Sequence, residues 1–152
     1  EALAEGSRLR RDSSPAAQND KNETRNDKNE TRNDNNGYTI LVIDDDQVIR
    51  LSWEMMRKKL HIENLHAFAS LESLQAANID LKKIDIAFVD KNIENSAFDG
   101  SMVIDFLKAK GVSKIVLASG ENEDQLRADP QFAQADFVIG MKVPISFKPF
   151  LS

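Results

Sequence analysis

Thr39-Ile40-Leu41-Val42-Ile43-Asp44-Asp45-Asp46 is an apolar run that ends abruptly in carboxylates. Apolar runs this short, rich in β-branched residues, read as strands covered on both faces, as in a parallel sheet. The pattern recurs: Ile86-Ala87-Phe88-Val89 ends in Asp90, and Lys114-Ile115-Val116-Leu117-Ala118 ends in Ser119-Gly120. Parallel strands deliver their C-terminal ends to one edge of the sheet, where ligands of open α/β sheets bind. Asp44, Asp45 and Asp90 are expected to converge there, beside the Ser119 hydroxyl. Such a hard, oxygen-lined pocket suits Mg²⁺, which takes a few carboxylates together with waters and phosphate oxygens.

Helical patterns fill the intervals between the strands. Gln47–Leu60 places Ile49, Trp53, Met56 and Leu60 on one face. Further helices are expected over Leu71–Ala77, over Gly100–Lys110 with Gly111 as its stop, and over Asn122–Ala128 ahead of Asp129-Pro130. The remaining strands are expected over Leu65–Ala69, Asp85–Val89 and Phe137–Met141. Regular alternation of strand and helix implies an α/β fold, a doubly wound parallel sheet with helices on both faces. His61 and His66 read as ordinary surface or strand residues, since a zinc site would need further ligands.

The 152 residues carry a formal net charge of −5 and no cysteine, which excludes disulfides, thiol nucleophiles and thiolate metal sites. That cysteine usage fits a cytoplasmic protein. An acidic balance argues against a nucleic-acid-binding surface. No apolar stretch approaches the ~18 residues needed to span a bilayer, so no membrane contact is expected of this chain. Residues 1–37 hold no aromatic residue and contain a direct repeat, Asn19-Asp20-Lys21-Asn22-Glu23-Thr24-Arg25 followed by Asn26-Asp27-Lys28-Asn29-Glu30-Thr31-Arg32. No position of the repeat is apolar, so it offers no coiled-coil seam and reads as a disordered polar linker ahead of a domain at 38–152. A start at Glu1 rather than Met suggests a piece of a longer protein.

The ordered set of an acidic pair (Asp44-Asp45), a single acid (Asp90), a hydroxyl (Ser119) and a later lysine resembles the receiver domain of bacterial two-component signalling. The resemblance covers nearly all of the chain from Tyr38 onward. It implies a flavodoxin-like, CheY-like five-stranded sheet in the order 2-1-3-4-5. It also implies Mg²⁺-dependent transfer of a phosphoryl group from a phosphohistidine to Asp90, so that the domain catalyses its own phosphorylation and dephosphorylation. Asp44, Asp45, Asp90 and the backbone carbonyl of Asn92 match the metal ligands, and Ser119 matches the hydroxyl that hydrogen-bonds the phosphoryl group. Two lysines compete for the remaining role. Lys148-Pro149-Phe150 spells the family's Lys-Pro-Phe but lies 29 residues after Ser119. Lys142 lies 23 residues after Ser119 and ends the last strand, so spacing favours it, with Lys148 as the alternative. Implied partners are a histidine kinase domain, in the same chain or another, and a histidine phosphotransfer protein, with a dimer through the final strand and helix as a further option. The linker suggests the C-terminal receiver of a hybrid sensor histidine kinase, membrane-anchored in its full length; a stand-alone response regulator is the nearest variant.

Departures from the family pattern shape the remaining expectations. The loop Lys91–Gly100 keeps the Asp99-Gly100 ending but lacks the usual proline and is longer. Gly120 follows the hydroxyl where Ala is common, and Ile139 or Ile145 stands where a switch aromatic precedes the lysine. Few residues follow the last strand, so the final helix is expected to be short, missing or supplied by another chain, which would bare an apolar sheet face. A pseudo-receiver, a protein-binding module without phosphate chemistry, is one alternative. Another is a haloacid-dehalogenase-type phosphatase, with Asp44 as nucleophile and Asp46 as acid/base. That family needs a second acidic pair after its lysine, and none follows Lys142. Asp46 reads more simply as a helix N-cap.

Overall fold

The computed structural model describes residues 37–151, over which five parallel strands form one sheet in the order β2-β1-β3-β4-β5. The elements run β1 (Tyr38–Ile43), α1 (Gln47–Met55), β2 (Ile62–Phe68), α2 (Leu71–Ala77), β3 (Ile86–Val89), α3 (Gly100–Ala109), β4 (Ile115–Ala118), α4 (Glu123–Ala128) and β5 (Phe137–Ile139). This is the flavodoxin-like doubly wound sheet expected from the sequence. The linker expected over residues 1–37 lies, Gly37 apart, outside the described residues.

Each helix starts on a side chain that satisfies an otherwise orphaned amide. Asp46 accepts from Val48 N–H, Ser70 from Ser73, Asp99 from Met102 and Asn122 from Gln125. Alternation along the central strands divides the core in two. Leu41, Ile43, Ala87, Val89, Ile115 and Leu117 face one way, into a cluster with Leu71, Leu74, Val103, Ile104, Leu107 and Leu126 of α2, α3 and α4. Ile40, Val42, Ile86, Phe88, Val116 and Ala118 face the other way, where α1 contributes Trp53.

That second face is the one a missing last helix would expose, and no α-helix follows β5 among the described residues. The described residues end on a 3-10 turn, Lys148–Phe150, and Phe147 and Phe150 are pressed onto the sheet. Their rings meet Trp53, Phe88, Phe137 and Tyr38 at centroid distances between 5.2 and 6.3 Å. Aromatic side chains bury a large area per residue, so these two cover much of this face. Lys114 Nζ donates to the Phe150 carbonyl at 2.6 Å and fastens the end of the segment.

Three boundaries differ from the sequence reading by more than one residue. α1 stops at Met55 rather than Leu60, because the chain tightens into turns that end at His61 in the left-handed region (φ 59°). Leu60 still reaches the core from those turns. β2 begins at Ile62, not Leu65: Glu63 and Asn64 are exposed on an edge strand and carry no apolar signal, while pairing with β1 through a bulge sets their conformation. β5 ends at Ile139, so Gly140-Met141-Lys142 leave the ladder and are free to bend over the strand ends.

Candidate functional site

Parallel pairing puts the expected residues at one edge. Ile43 aligns with Val89 and Val89 with Leu117, so Asp44 and Asp90 leave neighbouring strands together and Ser119 follows one step on. Among the described residues, Asp44, Asp90 and Ser119 are the buried polar or charged side chains, at 3 %, 5 % and 3 % exposure. Burying a charge is costly unless something pairs with it. Here all such cost is concentrated at one place.

Lys142 supplies the pairing. Its Nζ lies 2.8 Å from Asp90 Oδ1 and 3.7 Å from Asp44 Oδ2. Asp90 also accepts from the Lys91 N–H at 2.9 Å, and Asp44 from the Asp46 N–H at 2.9 Å. One ammonium does not balance three carboxylates. Burial pushes the Asp44 carboxyl up to about 6, with the neighbouring charges of Asp90 and Asp45 adding to it against the Asp46 amide and Lys142. Asp90 is raised too, by burial above all, against the hydrogen bond and charge of Lys142. Burial pulls the Lys142 ammonium down, but pairing with Asp90 and Asp44 outweighs it, so the group is held above its usual range.

An oxygen from each of Asp44, Asp45 and Asp90 lies within 4.8 Å of the others. The donor set is all carboxylate, two of the three residues are buried, and positive charge is in deficit. Those features fit Mg²⁺, a hard cation that keeps waters and needs few protein ligands. Asn92 borders the same open cleft, with Ser119, Gly120 and Glu121 across from it.

Lys148 is not part of this cleft. Its amide donates to Ser146 Oγ at 3.0 Å in the 3-10 turn under the sheet face, and its side chain is exposed. Asp46 caps α1 through Oδ1 at 2.9 Å, which engages the group an acid/base role would need. His61 sits in the turn before β2 and His66 on that edge strand.

Several contacts that hold the site were not legible from residue types. Arg50 Nη1 donates to the Asp44 carbonyl at 2.7 Å and fixes the turn carrying the acidic pair. The Glu94 amide donates to Asp45 Oδ2 at 3.0 Å, anchoring the long loop to that carboxylate. Glu121 bridges the two loops flanking the cleft, taking Lys91 Nζ at 2.9 Å and Asn92 Nδ2 at 3.3 Å. A backbone donor leaves no trace in residue type, and contacts between loops have no periodicity to betray them. Gly100 has a clearer signal in Asp99-Gly100: a Cβ there would overlap the carbonyl oxygens of Asp90 and Lys91, so only glycine lets α3 start against the Asp90 loop.

No protein-family model and no curated protein sequence matches the chain. Solved structures do match. The receiver domain of NtrX from Brucella abortus is 24 % identical, with a TM-score of 0.54 over 66 % of this chain and 82 % of that one. A CheY-like response regulator receiver domain from Methylobacillus flagellatus is 20 % identical, with a TM-score of 0.59 over 75 % and 95 %. A two-component response regulator from Clostridium difficile is 17 % identical, with a TM-score of 0.58 over 71 % and 86 %. Residues 37–151 therefore have the fold of CheY-like receiver domains, with four α-helices among the described residues.

Proposed function

We propose that this domain is a phosphoacceptor: Asp90 receives a phosphoryl group from a phosphohistidine in a Mg²⁺-dependent step of two-component signalling. The observation that carries the reading is the set of buried polar side chains, Asp44, Asp90 and Ser119, gathered at the ends of β1, β3 and β4 with Lys142 Nζ on Asp90. A fold that spends its buried polar groups on one edge has a use for them there.

In the transfer, the P–N bond to the partner's histidine breaks and its electron pair returns to the ring nitrogen, while a P–O bond forms to Asp90. Such transfers ask little covalent work of the protein beyond placing the carboxylate and neutralising charge. Asp44, Asp45, Asp90 and the Asn92 carbonyl would hold the metal, which supplies charge neutralisation for the phosphoryl oxygens. Lys142 pairs with the phosphoryl group through the ammonium that now sits on Asp90. Ser119 donates its hydroxyl to a phosphoryl oxygen.

The donor is a histidine kinase domain or a histidine phosphotransfer protein. Beside the cleft, α1 exposes Val48 (67 %), Leu51 (54 %) and Met55 (83 %) at helical spacing, a stripe suited to an apolar helix face of that partner. The repeat at residues 19–32 suits a tether to another domain, such as a kinase in the same chain. No helix among the described residues is long and apolar enough to cross a membrane.

Amide NMR titration with Mg²⁺ and then beryllofluoride, a mimic of an aspartyl phosphate, tests the reading. Shifts around Asp44, Asp45, Ser119 and Lys142 that vanish in Asp90→Asn are expected. No response to either ligand would leave a pseudo-receiver. A beryllofluoride response that survives Asp90→Asn and is lost in Asp44→Asn would favour the phosphatase.

A further inference from the structure

Lys142 belongs to no helix or strand, and the stretch that follows it sets its place. Five residues on, past Val143, buried Pro144, Ile145 and Ser146, the chain is anchored by Phe147. Phe147 and Phe150 are 4 % and 2 % exposed. Phe147 stacks at 5.8 Å on Phe88, two residues before Asp90, and at 6.3 Å on Trp53 of α1. Phe150 meets Phe88 edge-on at 5.5 Å and Phe137 of β5 at 5.2 Å. One end of a short segment therefore rests on the Asp90 carboxylate and the other on the strand that carries Asp90. Proline at 144 fixes its own φ and limits how much slack the segment can absorb.

We propose that this segment is the output switch of the domain: Lys142 and the Phe147–Phe150 plug are the two ends of one short lever, and a phosphoryl group on Asp90 moves the plug by drawing Lys142 outward. The inference rests on the phosphoacceptor reading above. Phosphorylation moves the negative charge at Asp90 out by the length of the new P–O bond and its oxygens, and the ammonium follows that charge. Close-packed rings do not deform continuously, so the strain is relieved by a change of packing on the sheet face. Ser119 has no aromatic switch partner, because Ile139 stands at that place in β5, which leaves the lysine as the route out of the site. Ile145 within the segment (73 % exposed) and Met141 just before it (44 % exposed) give the moved plug an apolar surface to present.

Hydrogen exchange tests the lever. The Phe150 amide donates to the Phe147 carbonyl at 2.9 Å and reports whether the plug is seated. The chain is saturated with Mg²⁺ and beryllofluoride, and occupancy is followed separately by ¹⁹F NMR. The Phe150 amide is expected to exchange about tenfold faster when the ligand is bound, and this acceleration is expected to be lost in Lys142→Met at matched occupancy. Coupling is reciprocal, so Phe147→Leu, which keeps the plug apolar, is expected to change beryllofluoride affinity by about fivefold or more. That effect should vanish when Phe147→Leu is made in the Lys142→Met background. Bound beryllofluoride with unchanged exchange at Phe150 overturns the lever and leaves the phosphoacceptor reading standing. Absence of a bound ¹⁹F signal in the wild-type chain overturns that reading and the lever with it.

Discussion

Asp44 is a carboxylate held where its charge is disfavoured. Its pKa is raised from 3.8 to about 6, so between those values the folded chain holds a proton that the unfolded chain has released. Stability from this group is therefore present below pH 3.8 and lost as pH rises through about 6. Asp44→Asn is expected to raise unfolding stability by on the order of 2 kcal/mol at pH 7.5 without divalent cation. The gain should disappear near pH 4, and urea melts at both pH values check it. In millimolar Mg²⁺ the order should narrow or reverse, because only the wild-type carboxylate gains from the cation. The acids and Ser119 were legible because each directly ends an apolar strand, and parallel strands end together. Lys142 was legible only by its spacing from Ser119, and the structure brings it, not Lys148, to Asp90. Arg50, the Glu94 amide and Glu121 act through loop contacts that residue types do not announce.

Elements with strong apolar patterns fell where the sequence put them. β1, β3 and β4 are buried on both faces, so nearly every residue carries the signal. β2 was shortened in the reading because its first residues are polar and its conformation comes from pairing with β1. α1 was lengthened because Met56 and Leu60 keep helical spacing into a turn that is no longer α-helical. The start of α3 is the element most tightly tied to the site, since Gly100 N–H donates to the Lys91 carbonyl at 3.1 Å. Gly100→Ala is expected to destabilise the fold by about 1–3 kcal/mol through overlap with the Asp90 loop. It is also expected to shift the Asp90 and Lys91 amides in NMR spectra. Glu121→Ala, removing an exposed bridge, should cost under about 1 kcal/mol in the same melts.

At the scale of the molecule, the sheet is covered on one face by three helices and on the other by α1 and two phenylalanines. The sequence pointed to a short or missing last helix, or one supplied by another chain, and gave no sign of the two rings that lie on this face. Side chains at irregular spacing form no helical or strand pattern, so the plug left no signal that periodicity detects. Phe150→Ala is expected to cost about 3–5 kcal/mol in urea unfolding, against under about 1 for exposed Leu151→Ala. An equal and small loss from both would mean that the plug does not hold this face together. Phosphoryl transfer to Asp90 is read out by intact-protein mass spectrometry after incubation with acetyl phosphate. The wild-type chain is expected to gain one phosphoryl group, only with Mg²⁺ present and labile to hydroxylamine, and Asp90→Asn to gain none. No adduct on the wild-type chain, or the same adduct on Asp90→Asn, would contradict it.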